Sequence, residues 1–158
     1  MRRAKVVLVL VAALAAGCSG SGPPATPSGH LVAKATFHTS DGKVRTSLLA
    51  VADTEAERQA GLMGRTSLAR NGGELFVFDG RVQTAFWMKD TKLPLSIAFW
   101  DASGRIVDVQ EMEPCAADPC AVYQSSAPYT HALEMNAGWF DQHGVKIGDT
   151  VELHVGTE

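Results

Sequence analysis

The sequence predicts an α+β domain that is mostly antiparallel β, with a strongly curved sheet or small barrel of about eight strands and two short helices. Three observations lead there. Short apolar runs, alternating or continuous, recur between turn residues. Two pairs of these runs are joined by tight-turn chemistry, and only two stretches carry helical spacing. From Leu31 onward there are roughly 130 residues, the size of one domain.

Taken in order, "LVAKATFH" and "KVRTSLLAV" flank "TSDG", where Asp41-Gly42 marks a hairpin. The stretch "DTEAERQAGLMGR" reads as a helix, because Thr54 followed by Glu57 forms a capping box. Ala56, Ala60 and Met63 then share one helical face, and Gly61 and Gly64 mark its end or a close approach to the sheet. The runs "GELFVFD", "QTAFWMKD", "LSIAFWD" and "RIVDVQEM" follow as strands, the last two joined through "ASG". "HALEMN" is a strand, "NAGWFDQHG" a short helix stopped by Gly144, and "DTVELHV" a last strand entered through Gly148-Asp149. Closing such a sheet on itself hides the exposed edges that otherwise invite aggregation.

The first 30 residues have a different composition. Arg2, Arg3 and Lys5 precede the apolar "VVLVLVAALAA", which is short for a membrane span, so residues 1–17 are expected to be a lipoprotein signal peptide. The run "LAAGC" resembles a lipoprotein cleavage site with Cys18 as the lipidated residue, although Ala15 stands where a larger aliphatic residue is usual. Residues 18–30 are rich in Gly, Ser and Pro and read as a flexible tether, which leaves 31–158 as the folded domain. The expected location is the cell envelope, exported and held to a membrane through lipid on Cys18.

Charge narrows the partners. Without the three basic residues of 1–17, eleven basic side chains face seventeen acidic ones, a net of −6. A mildly acidic domain with no basic run argues against nucleic acid. Of the three cysteines, Cys115 and Cys120 remain as a pair in "EPCAADPC", and an oxidising compartment favours a structural disulfide worth about 2 kcal/mol. A redox pair would have closer spacing at a helix start, and a zinc site would need two further ligands, the nearest downstream His being His131.

Several separated motifs resemble the DUF192 family over about Leu48 to Val155. They are "ADTEAERQAGLMGRTSL" with Arg58, Gly61, Leu62, Met63 and Arg65; "ELFVFD"; "FWMKDT" with Lys89 and Thr91; "PLSIAFWDASGRIV"; "ALEMNAGWF" with Glu134, Gly138 and Trp139; and "GVKIGD". The resemblance implies a compact, mostly β domain of α+β type, often exported, and it implies no established reaction. The family commonly has Asn where this chain has Asp90, and Asp where it has Ser96.

No hydrolase elbow, zinc helix, phosphate loop or calcium loop is present. The histidines at 30, 38, 131, 143 and 154 are scattered, with no pair at metal-ligand spacing, and no cofactor is implied. Met63, Met88, Met112 and Met135 could in principle converge on Cu(I), but each sits in an apolar context where Met fills gaps.

In an extended strand Trp87 and Lys89 share one side while Phe86 and Met88 share the other. Trp100 then lies with Ser96 and Ala98, on the polar-lined side of the next strand. These indoles form either a stacking surface for a sugar or peptide, or part of a core covered on both sides. Arg65 and Glu134 either pair to fix a helix to the sheet or converge on a cleft with Lys89. The long segment from 112 to 130, with Tyr123 and Tyr129, is expected to be a lid or another functional loop kept in shape by the disulfide.

These features favour a lipid-anchored, non-enzymatic domain that binds a glycan, peptide or envelope protein through Arg65, Trp87, Lys89, Trp100 and Glu134. Two alternatives stand beside it: an envelope hydrolase using Glu134, Asp101 or Asp108 with Lys89, and a structural or assembly module.

Overall fold

The computed structural model describes residues 31–42 and 44–157. The expected signal peptide, Cys18, the tether and His30 lie outside them. Seven strands form one sheet: β1 (Leu31–His38), β2 (Val44–Ala52), β3 (Gly73–Val82), β5 (Leu95–Trp100), β6 (Ile106–Met112), β8 (Tyr129–Asn136) and β9 (Thr150–Thr157), in the order β6-β5-β8-β3-β2-β1-β9. All pairings are antiparallel except β2 with β3, which are parallel because the chain between them crosses over through the helix α1 (Glu55–Ala60). Two further short strands, β4 (Phe86–Trp87) and β7 (Val122–Tyr123), pair with each other.

The long sheet curls until its edges meet at one end. Arg105 bridges Thr150, the Ile106 amide donates to the Asp149 carbonyl at 2.9 Å, and the Val151 amide donates to Gly104 at 2.8 Å. The result is the half-barrel expected from the strand pattern. The seam explains Gly104, whose φ is +82° and at which a Cβ would lie 2.4 Å from the Val151 carbonyl oxygen. Gly73 meets a similar limit, since a Cβ there would stand 2.2 Å from the Glu134 carbonyl oxygen.

Two apolar clusters cover the two faces of the sheet. One gathers Phe37, Leu49, Leu75, Trp100, Leu133 and Met135 under Trp139 and Phe140 of the helix α2 (Trp139–Gln142). The other gathers Phe76, Met88, Leu95, Ile97, Phe99, Met112 and Tyr129 under the loops. Every residue of β5 is therefore buried, as its continuous apolar run permits.

Three sequence expectations change here. Trp100 is 1% exposed and stacks on His131, with ring planes 5° apart, so it is no part of a wet surface. The expected strand over 83–90 shrinks to Phe86–Trp87, because the chain turns at Met88–Thr91 and Asp90 takes a φ of +54°. Ala56 and Ala60 do not pack on the core, since α1 buries none of its residues. Met135 lies in one apolar cluster and Met88 with Met112 in the other, where they fill the core as their apolar sequence context suggests. The capping box is present, with the Glu57 amide donating to Thr54 Oγ1 at 3.2 Å and the Thr54 amide donating to Glu57 at 3.0 Å. Cys115 and Cys120 are disulfide-bonded.

Replacing Gly104 with Ala combines a left-handed backbone with a collision against main chain, and is expected to cost about 3 kcal/mol. Gly42 has a φ of +76° but open space around it, so Gly42→Ala is expected to cost about 1 kcal/mol. Urea midpoints of the two variants measure the difference, and equal losses would contradict the seam.

Candidate functional site

The residues linking β2 to β4 fold back over the second apolar cluster and leave a groove of about 750 Å³. One wall is α1 with the turn after it, contributing Glu55, Arg58, Ala60, Leu62 and Met63. The facing wall is the outer half of β3 and β4, contributing Phe78, Asp79, Val82, Phe86 and Trp87. Phe76 and Glu134 form part of the same lining.

Strand periodicity places these groups. In β3, Glu74, Phe76 and Phe78 point to one face and Leu75 and Val77 to the other. The β3–β8 register then shifts between Val77 and Val82, and this interval carries the outer wall. Phe76 meets Phe86 edge-on at 5.0 Å, and Phe86 meets Phe99 at 5.7 Å, so an aromatic layer joins the groove to the core. Tyr129 donates its hydroxyl to the Thr84 carbonyl at 2.6 Å and fixes the approach to β4, while burial pushes its phenol up to about 12.

The helix wall is held by polar contacts. Arg58 donates to the carbonyls of Asp53 and Val77, lies 3.4 Å from the Glu55 carboxylate, and places its guanidinium 5.3 Å from the centre of the Phe78 ring. Trp87 stands at the mouth, 53% exposed, whereas Trp100 and Trp139 are buried.

Glu134 of β8 sits directly opposite Glu74 of β3 in the antiparallel register. Both are buried, at 5% and 8% exposure, and Glu74 Oε2 is a buried oxygen with no hydrogen-bond partner among the described residues. Burial, and then the neighbouring Glu74, push the Glu134 carboxyl up to about 8, so it is largely protonated at neutral pH. Burial also raises Glu74, an effect opposed by the positive charge of Arg65.

Of the expected site residues, the structure brings Trp87 and Glu134 to one groove. Lys89 does not join them. It forms a 2.7 Å ion pair with Asp118 and lines a separate hollow beside the disulfide loop, because the extended chain ends at Trp87 and the alternation of sides ends with it. Arg65 is exposed, forms no pair with Glu134, and acts on Glu74 instead.

The hydrolase constellation does not assemble either. Asp101 accepts from Ser103 and Arg105 within the β5–β6 turn, and Asp108 accepts from the Ser126 amide at 2.7 Å. Neither lines the groove. Sequence reasoning missed Glu74, Phe76, Phe78 and Arg58 as site residues. The available signal was a glutamate on the same strand face as two phenylalanines.

The two departures from the family pattern have local explanations. Asp90 occupies a left-handed conformation, which Asn and Asp tolerate better than most residues. Ser96 is buried, donates to Glu111 Oε1 at 2.6 Å and accepts from the Gly138 amide at 2.7 Å; that amide also lies 3.0 Å from Glu111 Oε2.

Fold and site together define a small α+β half-barrel with an aromatic surface groove and a buried acidic pair at its edge. The chain belongs to the DUF192 family, described as an uncharacterized ACR, whose pattern matches residues 36–153. A crystal structure from Sinorhizobium meliloti, described as that of a candidate transcription regulator, is similar at 30% identity with a TM-score of 0.73, covering 78% of this chain and 94% of the other. A protein of unknown function from Novosphingobium aromaticivorans is similar at 29% identity with a TM-score of 0.72, covering 84% of this chain and 94% of its own. None of the curated proteins matches the chain.

Glu134 carries a testable linkage. Its folded pKa lies above the ordinary value of 4.5, so the folded state holds a proton that the unfolded chain has released. The contribution of this group to stability is then fully present below about pH 4.5 and is lost as pH rises to about 8, by on the order of 1 kcal/mol per pH unit. Glu134→Gln should flatten this slope. Urea midpoints across that range measure it, and an unchanged slope in the variant would assign the linkage elsewhere.

Proposed function

We propose that the protein is a lipid-anchored, extracytoplasmic binding domain that captures an envelope ligand in the groove beside Trp87. The observation that carries this reading is the exposed indole at the mouth of an aromatic-lined concavity, with a single buried carboxyl in the lining. Such a surface pairs broad apolar contact with one orienting polar group, the usual make-up of a ligand site. Peptides and glycans both offer flat faces for the indole. The proposed anchor is Cys18, followed by a tether that leaves the groove free to meet its ligand.

A hydrolase is the second reading, favoured by one observation. A carboxylic acid kept protonated at neutral pH in an aromatic setting is the environment of a general acid. The binding reading is preferred because Glu74 does not line the groove, so the pair presents one carboxyl to a ligand rather than two. A flat assembly surface fits poorly with the concave groove.

Trp87 supplies its own probe, being the exposed indole among three tryptophans. Trp87→Ala should remove most of the acrylamide-quenchable fluorescence, and a ligand in the groove should protect that emission in the wild type. A panel of soluble peptides and envelope glycan fragments that binds by calorimetry while leaving Trp87 emission untouched would place the site elsewhere. For the anchor, Cys18→Ser should abolish labelling by a fatty-acid analogue and move the protein from the membrane to the soluble fraction. Retention in the membrane would overturn lipidation.

A further inference from the structure

The groove lining carries the exposed carboxylates of Glu55 and Asp79, beside the buried, protonated carboxyl of Glu134, against one guanidinium, that of Arg58, which is already committed to two carbonyls and to Glu55. Negative charge is therefore in excess where an aromatic surface is also on offer. Glu134 is 5% exposed and opens onto the groove. A carboxyl so largely withdrawn from water gains from a ligand that brings hydrogen-bond donors to it.

Resting on the reading that the groove is the binding site, we propose that it takes a primary alkylammonium group of the lysine type, seated against Glu134 with its methylene stem along Phe76, Phe86 and Trp87. An ammonium offers three N–H donors, and its charge complements the lining. A trimethylammonium group has the charge and suits aromatic faces but has no N–H for the carboxyl. The occupant is a lysine side chain of a polypeptide rather than an ethanolamine headgroup, for two reasons. Glu134 is buried while Trp87 stands at the mouth, which calls for a long apolar stem. A headgroup phosphate would in addition bring negative charge beside exposed Glu55 and Asp79.

Charge in the site also sets a pH response. The groups facing Glu134 are Glu74 across the ladder, Arg65 acting on Glu74, and Glu55, Arg58 and Asp79 in the groove; the β5 partner, Ile97, does not titrate. An ammonium favours the ionised carboxylate, so at neutral pH binding releases the Glu134 proton to the buffer. Affinity then rises with pH until about 8, where the free carboxyl is itself ionised.

The test is a titration of the protein with a glycine-flanked single-lysine peptide, its Nε-acetyl form and its Nε-trimethyl form, followed by Trp87 fluorescence and by calorimetry in two buffers. The lysyl peptide should bind at least tenfold tighter than either modified form, with net proton release. Glu134→Gln should lose at least tenfold in affinity together with the pH dependence. Should that variant fold poorly, Asp79→Asn at the exposed rim should still lose several-fold.

Equal binding of the acetylated peptide with a Trp87 response would overturn the ammonium inference while leaving the groove as a binding site. A response to glycan fragments alone, or to vesicles bearing ethanolamine headgroups alone, would do the same. Silence of Trp87 towards every probe would sink both.

Discussion

The sheet is covered on both faces where β3, β8 and β5 run side by side, and this double cover governs the rest of the molecule. A side chain on either face of these strands leaves water whatever its polarity. Leu, Phe and Trp gain by this, whereas the cross-strand pair Glu74 and Glu134 is desolvated, and Glu74 Oε2 has no hydrogen-bond partner among the described residues. Raised proton affinity is the least costly response, since a neutral carboxyl tolerates burial that a carboxylate does not. The chemical character of the groove therefore follows from how the sheet is packed.

The same cover explains why the helix wall is built as it is. With the sheet face already occupied by the aromatic layer, α1 has no apolar surface left to bury against, and its alanines remain exposed. A six-residue helix is too short to be stable through propensity alone. Its capping box and the contacts of Arg58 with β3 supply the fixing instead. A wall held by polar latches stands away from the strand, and the groove is the space left between them.

Much of the fold was legible in the sequence because it depends on short-range chemistry. The Asp41-Gly42 and Asp101–Gly104 turns, the Thr54–Glu57 box, the strand periods and the Cys115–Cys120 spacing each report a local geometry that the structure has. The site was legible only in part. Trp87 could be placed at the surface because Phe86 and Met88 take the inward positions. Lys89 could not, because the strand ends at Trp87, three residues before the end of its expected run, and a turn re-aims everything after it. Trp100 was misplaced for a related reason: a continuous apolar run and an alternating one differ only in what covers the second face, which is a tertiary fact. The Glu74–Glu134 pair depends on the register between strands that brings together residues sixty positions apart, and no local pattern encodes it.

The departures at positions 90 and 96 show how the fold absorbs change without losing its site. Position 90 needs a left-handed backbone, and Asp meets that need as Asn would. Position 96 faces the Gly138 amide at the entry to α2 and accepts its N–H. The Ser96 hydroxyl accepts from that amide together with Glu111, the residue facing Ser96 across the β5–β6 ladder. Because this contact lies at the far end of β8 from the outer wall of the groove, on the face opposite Glu134, it leaves the groove chemistry untouched. Position 96 therefore bears on how α2 is seated, and the aromatic groove lies on the other face of the same sheet.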